Sequence, residues 1–156
     1  MKLAANSHKQ LEEFFREYFG DEKLDLPEIQ IYARRGSLLL TGLLAIDGIA
    51  LGRHIFITPR HLRRGENGCL YAPRDIVVHE ITHTMQYRRH GTFRFFYLYL
   101  KGFFLALRQK ENWNFQARME AYLEIPQEVE ARALAAAYAG WRERRKDYFS
   151  SSVNSK

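Results

Sequence analysis

The residues of this chain best suited to chemistry lie in VVHEITHTMQY, residues 77–87. His79, Glu80 and His83 form the pattern H-E-x-x-H inside a mostly apolar stretch. On a helix, residues four positions apart lie on one face about a turn from each other, so both imidazoles can bind one metal ion. Glu80 lies one step round the helix and can contact a water molecule on that ion. Imidazole ligands with an open coordination position suit Zn²⁺, so the pattern predicts a zinc site.

A catalytic zinc ion needs a third protein ligand, and without one the motif is only a helix with two hydrogen-bonded histidines and a surface glutamate. The metzincin extension of the motif would place a histidine at position 89, which is Arg89 here. His90 comes one residue too late for that pattern, and His54 and His61 are better explained as surface or rim groups. A carboxylate from a later helix is therefore the better candidate.

The segment IPQEVEARALAAA, residues 125–137, predicts such a helix, because Pro126 suits its first position. Glu128 and Glu130 are two positions apart and point to different sides, so only one of them can face the metal. Small side chains would let this helix approach the first one closely: Ala131, Ala133, Ala135, Ala136 and Ala137. Considered alone, either glutamate is better explained as a solvated first-turn carboxylate that the helix dipole favours.

The pairing of HEITHTMQ with a downstream P-x-E-x-E-A resembles the gluzincins, zinc metallopeptidases that combine H-E-x-x-H with a glutamate from a later helix. It is also similar to a group of small bacterial domains with HE-x-x-H-x-x-Q and E-x-E-A-D, and the resemblance covers roughly residues 49–138. It implies a zinc-dependent peptidase in which Glu80 is the general base and the zinc ligands are His79, His83 and Glu128. It further implies that residues 53–58 form an edge strand that can bind an extended peptide.

Four residues qualify this interpretation. Arg132 stands where the family has an Asp that commonly supports a zinc-binding histidine, so the alternative function is a zinc-bound but inactive or autoinhibited domain that binds partners. Glu130 is the alternative third ligand. Tyr122 is a weak candidate for a second donor to the oxyanion, and a packing role explains it better. Gln86 is a candidate for orienting the site, or an ordinary helix amide.

Predicted strands come first along the chain and predicted helices follow, an order that predicts an α+β fold. The resemblance implies that this fold is zincin-like, with a small N-terminal β-sheet, the active-site helix and a C-terminal helical half. An N-terminal amphipathic helix is expected over 7–19 with Ser7 as its cap, followed by a β region over 28–58 with a hairpin turn at Asp47-Gly48. Residues 37–46 fit either a strand or a buried helix. Four further helices are predicted over 74–89, 93–108, 114–123 and 126–146. We expect one domain, 1–148, and a flexible tail, 149–156.

Composition limits the other functions. The chain has 156 residues, 46% of them apolar, which is enough for a core without disulfides. With a single cysteine, Cys69, the chain can form neither an internal disulfide nor a cysteine-rich zinc cluster. We expect Cys69 to be a small core residue and the compartment to be reducing and cytoplasmic. The first residues lack the apolar run of a secretory signal, and no apolar stretch is long enough to span a bilayer.

The segment RRHGTFRFFYLYLKGFFLALRQK, residues 88–110, has two explanations. A helix that is apolar all round is normally a buried core helix. Because arginines and lysines flank and interrupt this one, it also suits peripheral contact with anionic lipid or docking of a partner, and the net charge of +6 permits either. Nucleic-acid binding has support only from WRERRKDYF, residues 141–149, which a solvated helix end explains equally well.

Overall fold

The computed structural model describes residues 5–32, 47–64 and 70–153, and within them the chain forms five α-helices and a small mixed sheet. The α+β class predicted from the sequence is confirmed. The elements follow in the order α1 (Ala5–Phe19), β1 (Gln30–Tyr32), β2 (Gly48–Leu51), β3 (His54–Ile57), a 3-10 turn (Pro59–His61), β4 (Arg63–Arg64), β5 (Leu70–Tyr71), α2 (Arg74–His90), α3 (Thr92–Leu107), α4 (Phe115–Leu123) and α5 (Pro126–Val153).

The three-stranded sheet has the order β1-β3-β2, with β3 parallel to β1 and antiparallel to β2. The expectation that residues 53–58 form an edge strand is therefore wrong, because β3 is hydrogen-bonded on both sides. The turn between β2 and β3 contains Gly52, whose φ of +61° is a conformation that glycine adopts without steric cost. Gly48 starts β2 and pairs with Ile57. The hairpin predicted at Asp47-Gly48 would join residues 43–46 to β2, and those residues lie outside the described part of the chain. Residues 37–46 and Cys69 lie outside the described residues.

The helix α2 lies at the centre, between β2 on one side and α5 on the other. Its apolar side chains Val77, Val78 and Ile81 are buried in the main core. Part of that core lies where α1 meets α5, because Phe14 packs edge-on against both Tyr138 and Trp141. The motif helix is thus held on two sides, which suits a helix that carries a site.

Helix ends follow the sequence at some positions and depart from it at others. Gly91, with φ +75°, ends α2, and Pro126 opens α5 as predicted. By contrast, α1 begins at Ala5, so the predicted cap Ser7 lies inside the helix. The last helix continues to Val153, beyond the predicted end at 146, since neither glycine nor proline interrupts residues 141–153.

The helices α3 and α4 pack on each other around a second, smaller apolar cluster. Its buried members are Ala106, Leu107, Ala117 and Ala121. No described helix has the length and apolarity needed to cross a bilayer.

Candidate metal centre

Two helices bring three potential metal ligands together. His79 and His83 lie one turn apart on α2, with 3.2 Å between their Nε2 atoms. Glu128, in the first turn of α5, places Oε2 3.2 Å from His79 Nε2 and Oε1 3.2 Å from His83 Nε2. The packing of α5 on α2 makes this approach possible, and Ala131, one turn after the glutamate in sequence, is completely buried.

The spacing and chemistry of this group fit a metal ion. Tetrahedral zinc ligands at about 2.1 Å from the ion are separated from each other by about 3.4 Å, close to the distances seen here. Glu128 is only 2% exposed, and its Oε2 has no hydrogen-bond partner although His79 Nε2 is near. A buried carboxylate oxygen without a donor is costly, and a cation would satisfy it. The three residues can therefore hold a metal ion.

The electrostatics of the cluster favour charge on its members. Burial alone would raise the pKa of Glu128, but the adjacent His79 and His83 imidazoles hold that pKa well below its usual range. For His83, burial acts to lower the pKa, and the contact with Glu128 outweighs it and raises the pKa. The carboxylate thus stays ionised in a buried position, as a metal ligand must.

Gln86 fixes the orientation of His83. Its side-chain Nε2 donates to the Gln127 carbonyl at 3.1 Å and to Glu130 Oε2 at 2.9 Å, so its Oε1 faces His83 Nδ1 at 2.9 Å and accepts from it. With Nδ1 protonated, the lone pair of His83 Nε2 points into the cluster. In this structure the Gln86 side chain thus links His83 on α2 to Gln127 and Glu130 on α5.

The two candidate glutamates of α5 have different partners. While Glu128 joins the histidines, Glu130 contacts Gln86 and forms an ion pair of 3.1 Å with Arg89. Glu130 thus lies on the side of α5 that faces the end of α2. Its role in this structure is to brace the two helices, and it is not one of the three clustered ligands.

Tyr99 is a member of the site that the sequence reasoning missed. Its hydroxyl donates to Glu128 Oε1 at 2.8 Å, and the Tyr122 hydroxyl lies beside both groups. Burial is the main reason that the pKa of each tyrosine is raised, so both remain neutral donors. A signal was available in the spacing Phe95, Tyr99, Phe103, because a tyrosine in a row of aromatic residues that faces the core needs a partner for its hydroxyl.

Glu80 lies next to the cluster but does not belong to it. Only 4% of it is exposed, its Oε2 has no hydrogen-bond partner, and it accepts a hydrogen bond from the Ala50 backbone. Burial is the chief cause that raises its pKa to about 7. Gly48 makes room for it, since a Cβ there would lie 2.6 Å from Glu80 Oε1. The site therefore contains a carboxylate that can accept and release a proton near neutral pH.

Contacts with Glu80 and Tyr87 occupy part of the edge strand β2. The N–H of Ala50 on β2 is taken by Glu80, and its carbonyl accepts a hydrogen bond from Tyr87 at 3.2 Å. Since β3 is central and β2 is occupied at this position, an added peptide strand cannot pair with the sheet at Ala50.

A cavity of about 360 Å³ opens beside His79 and Glu80. Its lining includes Gly48, Asp75, His79, Glu80, Tyr122 and Arg132. Arg132 donates to the Leu123 carbonyl, and its charge acts on Tyr122. The position that carries an Asp in the resembled family thus contributes a cation to the wall of the cavity.

The remaining histidines considered above lie elsewhere. His54 contacts the Tyr32 hydroxyl at 3.1 Å and His61 contacts Asp47 at 2.8 Å, both at exposed positions, and His90 ends α2 outside the cluster.

Comparisons of the chain with protein-family models, curated proteins and solved structures find no match.

Proposed function

We propose that this chain is a zinc-dependent peptidase with a zincin-like, gluzincin-type arrangement. The observation that carries the proposal is the buried group of His79, His83 and Glu128, whose ligand atoms lie 3.2 Å apart beside the buried Glu80. The cavity lined by His79 and Glu80 is where a substrate would bind in this proposal. The resemblance to gluzincins rests on the same residues in the same order along the chain.

In this proposal His79, His83 and Glu128 hold the metal. Zinc bound there would supply a Lewis acid that acidifies a water molecule and polarises a peptide carbonyl. Glu80 accepts the proton of the attacking water and returns it to the leaving amine. A pKa of about 7 suits both transfers, because a proton is then gained and lost at little cost near neutral pH.

The other residues of the cavity have supporting roles. Tyr122 keeps its proton, so its hydroxyl can donate to the negative charge that develops on a peptide oxygen. Tyr99 and Gln86 hold Glu128 and His83 in place through the contacts described above. Gly48 leaves the space that Glu80 occupies.

One observation favours a second candidate, a zinc-bound domain without hydrolytic activity that binds partners. Arg132 brings a positive charge to the cavity wall, where the resembled family has a carboxylate. An arginine at this position cannot accept the hydrogen bond by which the carboxylate of the resembled family supports a metal-binding histidine. Replacement of Arg132 by Asp tests this: a gain of peptide hydrolysis supports the inactive-domain candidate for the native chain.

Metal content is the first test. Protein purified without chelator should contain near one zinc per chain, and alanine at both His79 and His83 should abolish it. His90→Ala, on the same helix but outside the cluster, is the matched control and should leave the metal content unchanged. A wild-type chain that takes up no divalent metal, even when offered excess zinc, would contradict the proposal.

Activity is the second test. A peptide library should be cleaved by the zinc-loaded wild type and left intact after chelation. Glu80→Gln should retain zinc but lose hydrolysis, whereas Glu111→Gln, at an exposed carboxylate, should retain both. Zinc binding with no cleavage in the wild type would select the inactive-domain candidate, and full cleavage by Glu80→Gln would refute the role of Glu80.

A further inference from the structure

The helix α3 exposes much of its apolar surface, so of its two explanations that of a core helix buried all round is wrong. Of its side chains only Phe95, Ala106 and Leu107 are buried. The exposed large apolar side chains are Phe93 at 93%, Phe96 at 44%, Tyr97 at 63%, Leu100 at 53%, Phe104 at 56% and Leu105 at 51%. Isolated exposed apolar residues are ordinary, but a contiguous set on one element indicates a binding surface.

These side chains form a stripe. Successive residues of a helix are rotated by about 100° around its axis, and all of these side chains except Leu105 fall within an arc of about 100° around that axis. We call the five of them the aromatic stripe: Phe93, Phe96, Tyr97, Leu100 and Phe104. The opposite side of the helix carries Phe95 and Tyr99, which contact His83 and Glu128. The aromatic stripe therefore faces away from the metal cluster.

A row of positive charges runs directly beside the aromatic stripe. Arg94, Lys101 and Arg108 are exposed and fall within about 40° of arc at its edge. The helix contains no acidic residue, and the described ion pairs of the chain do not include these three cations. A half-exposed aromatic face bordered by unpaired cations is the pattern of a helix that lies in the interface of an anionic bilayer.

A second copy of this chain fits the surface poorly. If two α3 helices paired through the aromatic stripe, the cations of both copies would border one interface, and α3 carries no acidic residue to pair with them. Like charges at close range oppose association, while anionic headgroups neutralise all three cations at once. The charges thus select a lipid surface over self-association.

We propose that α3 docks this protein on anionic lipid surfaces, with the aromatic stripe entering the headgroup region and the three cations binding headgroup phosphates and carboxylates. This surface is separate from the proposed peptidase site. Docking should therefore persist when the metal is removed by a chelator, and its success or failure says nothing about hydrolysis.

Flotation of the full chain with vesicles tests the proposal. With phosphatidylcholine containing about 30% phosphatidylserine at about 0.1 M salt, the protein should float with the lipid. Binding to vesicles of phosphatidylcholine alone should be about tenfold weaker. Failure to float with the anionic vesicles overturns the proposal.

Variants separate specific docking from the general attraction of a basic chain. Phe93→Ser/Phe104→Ser should weaken binding at least about tenfold, since two exposed rings no longer enter the interface. Lys101→Glu should weaken it about tenfold or more. The controls are Tyr18→Ser, with 47% exposure on α1, and Arg144→Glu on α5, which should bind as the wild type does. Circular dichroism checks that every variant is folded.

Two further outcomes overturn the proposal. If Arg144→Glu weakens binding as much as Lys101→Glu, the chain adsorbs through its overall charge and α3 has no special part. If sedimentation shows a dimer that Phe93→Ser/Phe104→Ser dissociates, and vesicles are not bound, the aromatic stripe is an interface between copies.

Discussion

Gln86 offers the sharpest test of how this site is built. Its side chain is 1% exposed and makes three hydrogen bonds, one from His83 Nδ1 and two to groups of α5. Gln86→Met keeps a similar volume but removes all three. Gln86→Glu keeps the acceptor for His83 while losing the donors to the Gln127 carbonyl and to Glu130.

The structure sets the size of the effect. In Gln86→Met, the buried His83 Nδ1–H and the Gln127 carbonyl each lose the hydrogen bond to residue 86. Each such loss costs about 1–3 kcal/mol, so the unfolding free energy of the metal-free protein should fall by about 2–6 kcal/mol. Glu130 has a side chain 32% exposed and can turn to water, so it adds little. Zinc affinity should fall about 10–100-fold, because His83 loses the bond that orients its ring.

The assays are zinc titration against a competing chromophoric chelator and denaturant unfolding of the metal-free protein at neutral pH. Gln86→Glu should lose stability as Gln86→Met does but bind zinc more tightly than that variant. Gln116→Met, at an exposed amide on α4, is the matched control and should change neither quantity. If Gln86→Met binds zinc as tightly as the wild type, Gln86 only braces α2 against α5 and does not orient the ligand.

Three other perturbations have expected outcomes. Gly48→Ala should retain zinc yet slow peptide hydrolysis about a hundredfold, because its Cβ would lie 2.6 Å from Glu80 Oε1; metal content and activity measured on one preparation check this. Tyr99→Phe should lower zinc affinity about tenfold, seen in the same chelator competition, because Glu128 loses a 2.8 Å hydrogen bond. The pKa of Glu13 is lowered by its hydrogen bonds from an arginine of α5, so Glu13→Gln should cost less than about 1 kcal/mol at neutral pH. In unfolding at several pH values, that difference should be present above the ordinary pKa of 4.5 and vanish as the pH falls through the lowered value; a constant difference would refute it.

Local features of the site could be predicted because they depend on one helix. The spacing of His79 and His83 places both on one face of any helix, and Gly91 and Pro126 mark helix ends through their own backbone preferences. The choice between Glu128 and Glu130 could not be made from the residues alone. It depends on the rotation of α5 against α2, which Gln86 and the buried Ala131 set through contacts between segments far apart in sequence.

The sheet and α3 depart from the sequence expectations for a related reason. The sequence of a four-residue strand such as His54–Ile57 does not show whether one or two neighbouring strands pair with it, because pairing is decided by segments elsewhere in the chain.

For α3, a pattern that is apolar all round fits full burial and also fits a helix with two surfaces that have different partners. The helix α4 packs against only part of α3. The inner side of α3 carries Tyr99, which donates a hydrogen bond to Glu128. The aromatic side is left exposed, so its apolar character needs a cause other than the core. We propose contact with an anionic lipid surface as that cause, because a row of cations lies beside the aromatic stripe. The loss of vesicle binding in Lys101→Glu is the result on which this explanation depends.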